Sequence, residues 1–116
     1  MSETRTAGDA TPRTWFRTRL EAQLRLALLG DTAGPATLAQ LMNQAQRAGL
    51  SGAEIDAALA GRSFEVRTSS LLAYALKQGD PVETDLKRQR GARLGVTASA
   101  FDRIAQATDR ILRDAR

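Results

Sequence analysis

The stretch RAGLSGAEID at residues 47–56 recurs in altered form as RLGVTASAFD at residues 93–102. In the first copy, Gly49 is placed to adopt the left-handed conformation that closes the last turn of a helix, and Leu50 to fold back onto that turn. Ser51 is a typical helix N-cap, and the glutamate three residues later completes a capping box. One helix is therefore predicted to end, and another to begin, within three residues.

The second copy repeats these roles 46 residues further along the chain. Its glycine, apolar and capping residues are Gly95, Val96 and Thr97, but Ala100 stands where the capping box needs a glutamate. The repetition predicts two similar helix–glycine–helix units. We expect these two units to pack closely against each other.

Hydrophobic periodicity predicts helices in the rest of the chain and no strand. Helical spacing of apolar residues is clearest over residues 35–47 and 98–113, and weakest over 81–93, where Val82 and Leu86 are the only clear anchors. Glycine and proline separate these segments, and no stretch alternates apolar and polar residues over more than three positions. The sequence predicts an all-α, single-domain bundle of five or six helices.

Residues 1–12 are small, polar and without periodicity, so we expect a flexible N-terminal arm, followed by a single helical domain over residues 13–116. The first helix is predicted over residues 13–29, with one apolar face and Trp15 as an anchor. A fourth helix is predicted to begin at a Ser63 cap. Its predicted core residues are Leu71, Leu72, Ala75 and Leu76.

Cysteine and histidine are both absent from the 116 residues. Their absence removes disulfides, thiolate nucleophiles, imidazole acid–base chemistry and Cys/His metal sites. The remaining candidates for acid–base catalysis are Glu21 and the pair Tyr74 and Lys77. Each has a simpler interpretation, as a solvated helix residue or as a tyrosine at the edge of a core beside a lysine. The sequence favours a protein that is not an enzyme, with no cofactor and no metal.

The formal net charge is +4, and residues 87–116 carry eight basic and three acidic side chains. An arginine-rich segment suits a phosphate-rich or carboxylate-rich partner, and it also serves to solvate amphipathic helices. The longest apolar run is far shorter than the roughly 18 residues of a membrane span, and no signal peptide opens the chain. We predict a cytoplasmic protein that has no membrane partner.

The glycine turn is also the turn of DNA-binding helix-turn-helix units, in which a small residue precedes the glycine by four positions. That residue is Ala45 in the first copy and Gly91 in the second. Because the first copy offers mainly acids and alanines to a polyanion, only residues 82–113 form an alternative, DNA-binding reading. Its candidate phosphate contacts are Lys87, Arg88 and Arg90, and its candidate groove contacts are Ser99, Arg103 and Gln106.

Residues 36–76 contain a helix of small and apolar residues, then AGLSGAEI, then GRS and a helix that includes LLAYA. In this order they resemble the carboxymuconolactone decarboxylase and AhpD-like family, and the likeness extends more loosely to about Ile111. The resemblance implies an all-helical fold and symmetric homo-oligomers. Peroxidases of that family carry a Cys-x-x-Cys pair with a histidine one turn beyond it. The matching positions here are Gly34, Thr37 and Leu41.

These three positions supply neither a thiolate nor an imidazole, so the resemblance does not extend to peroxidase chemistry. A proton-relay glutamate of the family would fall near Glu21, where it has no thiol to serve. The sequence therefore predicts a catalytically silent, AhpD-like helical domain that acts by binding or by homo-oligomeric assembly. The DNA-binding module is the alternative, and a nucleic-acid partner is not favoured.

Overall fold

The computed structural model describes the backbone of residues 12–115 and the side chains of residues 18–115. Within this range the chain forms six helices and no strand, which confirms the predicted all-α bundle. The arm predicted over residues 1–12 lies outside the described residues except for Pro12, the first residue of the first helix. The helices are α1 (Pro12–Leu29), α2 (Pro35–Arg47), α3 (Gly52–Leu59), α4 (Val66–Leu76), α5 (Pro81–Arg93) and α6 (Ala98–Asp114).

The two glycine turns have the same backbone geometry. Gly49 and Gly95 have φ values of 95° and 91°, in the left-handed region that favours glycine. The N–H of the next residue, Leu50 or Val96, donates to the carbonyl oxygen five residues earlier, at 3.0 Å in the first turn and 2.9 Å in the second. Both helices therefore end in the Schellman closure that the repeated sequence predicts.

The helix caps predicted at Ser51 and Thr97 form, and a third helix start is capped in the same way. Ser51 Oγ accepts the Glu54 N–H at 3.2 Å, and Glu54 Oε1 accepts the Ser51 N–H at 2.8 Å, so the capping box is complete. Thr97 caps α6 by accepting the Ala100 N–H at 3.1 Å, without a glutamate to complete the box. Asp80 caps α5 in the same way. These bonds satisfy N–H groups that have no partner within their own helix.

Helix α4 differs from its prediction at both ends. Ser63 does not cap it, because its hydroxyl accepts the N–H of Glu65 at 3.1 Å and shifts the helix start towards that residue. The Glu65 carboxylate is the cap, since it accepts two first-turn N–H groups of α4. Leu76, predicted in the core, is 45% exposed in the last turn of α4, with its side chain beside Gly61. The other predicted core residues, Leu71, Leu72 and Ala75, are buried.

Helix α1 is the element around which the others are arranged. It packs against α2 and α3 through one hydrophobic cluster and against α4 and α6 through another, while α5 packs mainly against α4. Leu26 belongs to the first cluster and Leu24 to the second, and both are buried. Two residues apart on a helix point in nearly opposite directions, so α1 is buried on two faces. The apolar face predicted on α1, which includes Leu24, is confirmed, and the structure adds a second buried face that includes Leu26.

The two helix–glycine–helix units, α2–α3 and α5–α6, do not contact each other. No Cα atom of α2 or α3 lies within 8 Å of a Cα atom of α5 or α6 in the described structure. Each unit packs instead on the helix that precedes it, α1 for the first and α4 for the second. The chain thus repeats a three-helix unit, and the expected close packing between the two hairpins is wrong.

Candidate functional site on helix α5

Helix α5 is attached to its neighbours through a glycine. Its one buried residue is Gly91, where the helix approaches Phe101 and Ser70 so closely that a Cβ atom would overlap the Phe101 ring. Its only large apolar side chains, Val82 and Leu86, are 69% and 41% exposed. α5 therefore approaches its own chain most closely at Gly91 and leaves its two large apolar side chains exposed.

Val82 and Leu86 lie one helical turn apart and so share a face of α5, which we call the α5 outer face. A single exposed apolar residue is common on a protein surface. A helix whose large apolar side chains all face solvent is instead typical of an interaction surface. The α5 outer face is the candidate functional site.

Acidic and basic side chains lie in opposite halves of α5 and its N-cap. The first half is acidic and the second half is basic, an arrangement that also favours the helix dipole. The side chain of Gln89 donates to Asp85 Oδ2 at 2.9 Å, so one acid is held along the helix surface. The acidic residues are Asp80, Glu83 and Asp85, and the basic residues are Lys87, Arg88, Arg90 and Arg93.

Arg88 differs from the other basic residues of α5 because its side chain bonds to α4 and α6. Its guanidinium donates to the Tyr74 hydroxyl and to Asp102 Oδ1, each at 3.3 Å, and lies 5.7 Å and 5.3 Å from the ring centroids of Tyr74 and Phe101. The hydrogen bond to Tyr74 raises the pKa of Arg88 above its ordinary value. The predicted phosphate contact Arg88 is therefore engaged in packing among α4, α5 and α6.

The candidate acid–base residues have other partners. Tyr74 is buried, packs edge-to-face on Phe101 at 4.8 Å and bonds to Arg88, whereas Lys77 lies at the exposed C-cap of α4. Glu21 forms ion pairs with Arg25, one turn further along α1, and with Arg110 of α6, each at 3.2 Å. The structure does not bring these candidates together around a cavity.

The family positions that would hold the redox residues are also spread out. Gly34 is the exposed N-cap of α2 and Thr37 is exposed in its first turn, whereas Leu41 is buried in the cluster between α1, α2 and α3. Leu41 contributes to the core, as its place in an apolar stripe predicts. The other two positions touch no cluster of acid–base groups that this structure describes.

In the second copy two helices do form on either side of the glycine turn, and the candidate groove contacts lie along one exposed face of α6. They are Ser99, Arg103 and Gln106. Lys87 is half-buried and Arg90 exposed on α5. The sequence of α6 contains three arginines and three aspartates, however, so its formal charge is zero. A helix without net positive charge is poorly suited to a polyanion, because phosphate neutralisation dominates DNA affinity.

Comparisons of this chain with protein-family models, with curated proteins and with solved structures find no match. The resemblance to the AhpD-like family therefore stays a prediction. Over residues 12–115 no helix has both the length and the apolar character needed to cross a bilayer. In the same range no group of three acidic side chains is placed to hold a metal ion.

Proposed function

We propose that this chain is a non-catalytic helical domain that acts by forming a homodimer through the α5 outer face. The observation that supports the proposal is the orientation of α5, which packs inward through Gly91 and leaves Val82 and Leu86 exposed. Covering these side chains removes apolar surface from water, which is worth roughly 25 cal/mol per Å². Two-fold symmetric dimers are the commonest soluble oligomers.

The charge pattern favours a second copy of this chain as the partner. If a two-fold axis passes near Leu86 and perpendicular to α5, the two α5 helices run antiparallel. The acidic half of each helix then faces the basic half of the other. The two Leu86 side chains meet at the axis, and the two Val82 side chains lie one turn to either side of it. Charge complementarity of this kind fixes the register and orientation of an interface. A parallel arrangement would place like charges opposite each other.

The non-catalytic part of the proposal is supported by the side chains that remain without cysteine and histidine. Glu21 is bound in ion pairs with two arginines, and the Tyr74 hydroxyl is bound to Arg88 within the core. Neither group is held beside a second acid–base residue in a cavity, as general acid–base catalysis requires.

Assembly is also what the AhpD-like resemblance implies, but the proposed dimer does not depend on that family. The close packing that we expected between the two glycine units is absent among the described residues. The α5 outer face supports assembly independently of the resemblance. This support rests on the exposure of Val82 and Leu86 and on the charges along α5.

The proposal is tested by measuring molar mass with light scattering and sedimentation. A single helix face is a small interface, so we expect a dimer with a Kd of about 1–100 µM, with twice the 12.5 kDa mass of the chain at high concentration. Leu86→Lys places two like charges at the axis and is expected to give a monomer. Leu112→Lys is the control, because Leu112 is similarly exposed but lies on α6. A wild-type monomer at millimolar concentration would contradict the proposal.

The DNA-binding alternative makes a different prediction for a gel shift at low salt. We expect no complex with duplex DNA, because the charges on α6 cancel and Arg88 is engaged with Tyr74 and Asp102. A complex that weakens steeply with added salt, and that Arg103→Ala weakens further, would favour the alternative over the dimer.

A further inference from the structure

A cleft of about 250 Å³ lies between α1, α3 and the segment that joins α3 to α4. Its lining includes Leu20 and Gln23 from α1, Glu54 from α3, and Phe64 and Glu65 from the joining segment. The volume corresponds to about eight water molecules in the liquid, enough for a small organic molecule. No residue of α5 lines it, so the cleft is separate from the proposed dimer surface.

Gln23 lines this cleft with a side-chain amide that is not satisfied. The residue is 7% exposed, and its Oε1 is fully buried with no hydrogen-bond partner in the described structure. Because buried polar groups in folded proteins are nearly always bonded, an unpaired amide oxygen beside a cleft indicates a missing donor. The terminal torsion of glutamine is soft, so rotation of the amide about this torsion turns the oxygen towards the cleft.

The charges in the cleft favour a cationic donor. The Arg19 guanidinium is neutralised by the Glu54 carboxylate, to which it donates at 2.5 Å, and a backbone bond from Ser51 further lowers the pKa of Glu54. Among the described residues, Glu65 is then the carboxylate of the cleft that has no cationic partner, and only its Oε1 takes part in capping α4. Phe64 is 70% exposed at the same cleft, and an aromatic face attracts cations.

We propose that this cleft binds a primary ammonium group carried on a short apolar or aromatic body. The oxygens of Gln23 and Glu65 accept hydrogen bonds from the ammonium group, and Leu20 and Phe64 cover the apolar body. This site goes beyond the proposed dimer and does not depend on it. The ligand that carries this ammonium group is either a free amine or the side chain of a lysine in a peptide.

The proposal is tested by NMR titration of the full chain with phenethylamine, which is cationic at neutral pH, and with 2-phenylethanol as the matched neutral compound. We expect a Kd of about 1 mM or tighter for the amine, and binding at least about tenfold weaker for the alcohol. Nα-acetyl-lysine amide distinguishes the two sources, since it binds more tightly than phenethylamine only if a peptide lysine is the ligand.

Two variants separate binding from stability. Gln23→Leu replaces the unpaired amide with an apolar group of similar size, so we expect a higher Tm together with the loss of amine binding. Thr108→Val is the control, because the buried Thr108 hydroxyl is also unpaired in the described structure but lies in α6, away from the cleft. We expect this variant to have a higher Tm and to bind the amine as the wild type does. Glu65→Gln is expected to weaken amine binding at least about tenfold.

Three results would overturn the assignment of an ammonium site. The first is equal affinity for the amine and the alcohol, and the second is amine binding by Gln23→Leu that is as tight as in the wild type. The third is the absence of any chemical-shift change with either compound, which would mean that the cleft holds water only. None of these results bears on the dimer, whose test is the molar mass of Leu86→Lys against that of Leu112→Lys.

Discussion

Replacing Gly91 with alanine is expected to lower the free energy of unfolding by about 1–2 kcal/mol. The added methyl group would overlap the Phe101 ring and lie 2.8 Å from Ser70 Oγ. Phe101 cannot move away easily, because it is fully buried, packs on Tyr74 at 4.8 Å and lies under the Arg88 guanidinium. Overpacking of this kind costs about 1–3 kcal/mol or more, which exceeds the gain of up to about 1 kcal/mol from the helix propensity of alanine.

The matched control is Gly52→Ala, at the first position of α3. A Cβ atom there meets no other atom within 4 Å, and the residue is exposed. We expect its stability to be unchanged or raised by at most about 1 kcal/mol. Urea denaturation followed by circular dichroism measures both variants. If Gly91→Ala were as stable as Gly52→Ala, α5 would not approach Phe101 as the structure shows.

Two α5 variants of opposite charge are expected to be monomers alone and to form a heterodimer when mixed. The acidic variant carries Lys87→Glu and Arg90→Glu, and the basic variant carries Glu83→Lys and Asp85→Lys. In each variant alone, an antiparallel pair places like charges opposite each other, so we expect self-association at least about tenfold weaker than in the wild type. Mixing restores opposite charges along the whole face.

Sedimentation of each variant and of their equimolar mixture measures this effect. Added salt should weaken the mixed dimer, because charges at a solvated interface are screened within about 3 Å at 1 M salt. The double change Arg103→Glu and Arg113→Glu is the control, since it alters net charge by the same amount as the acidic variant but on α6. We expect it to self-associate like the wild type. A mixture that remained monomeric would contradict the antiparallel arrangement.

The α5 outer face was only partly predictable. The sequence identifies Val82 and Leu86 as the sole large apolar residues of a polar helix, which is consistent both with a core contact and with a partner. The small residue Gly91 was attributed to a turn motif, whereas its role in the structure is to let α5 approach Phe101. Only that contact establishes which face of α5 is turned outward.

The cleft was not predicted, although a signal for it exists. Gln23 interrupts the predicted apolar face of the first helix, one turn after Arg19 and three residues after Leu20. A polar residue in such a place is usually solvated, so this signal alone does not indicate a buried amide. Its burial depends on α3 and the joining segment, which lie far from it in the chain.

Most helix starts and ends followed from the amino acids alone, the start of α4 excepted. Left-handed glycines such as Gly49 and caps such as Ser51 act through bonds between residues five or fewer apart, so the amino acids alone specify them. The tertiary structure decided which apolar residues are buried. Leu26 lies in the core while Leu76 and Leu86 are exposed, because burial depends on which distant helix packs against each face, and residue type does not encode that choice.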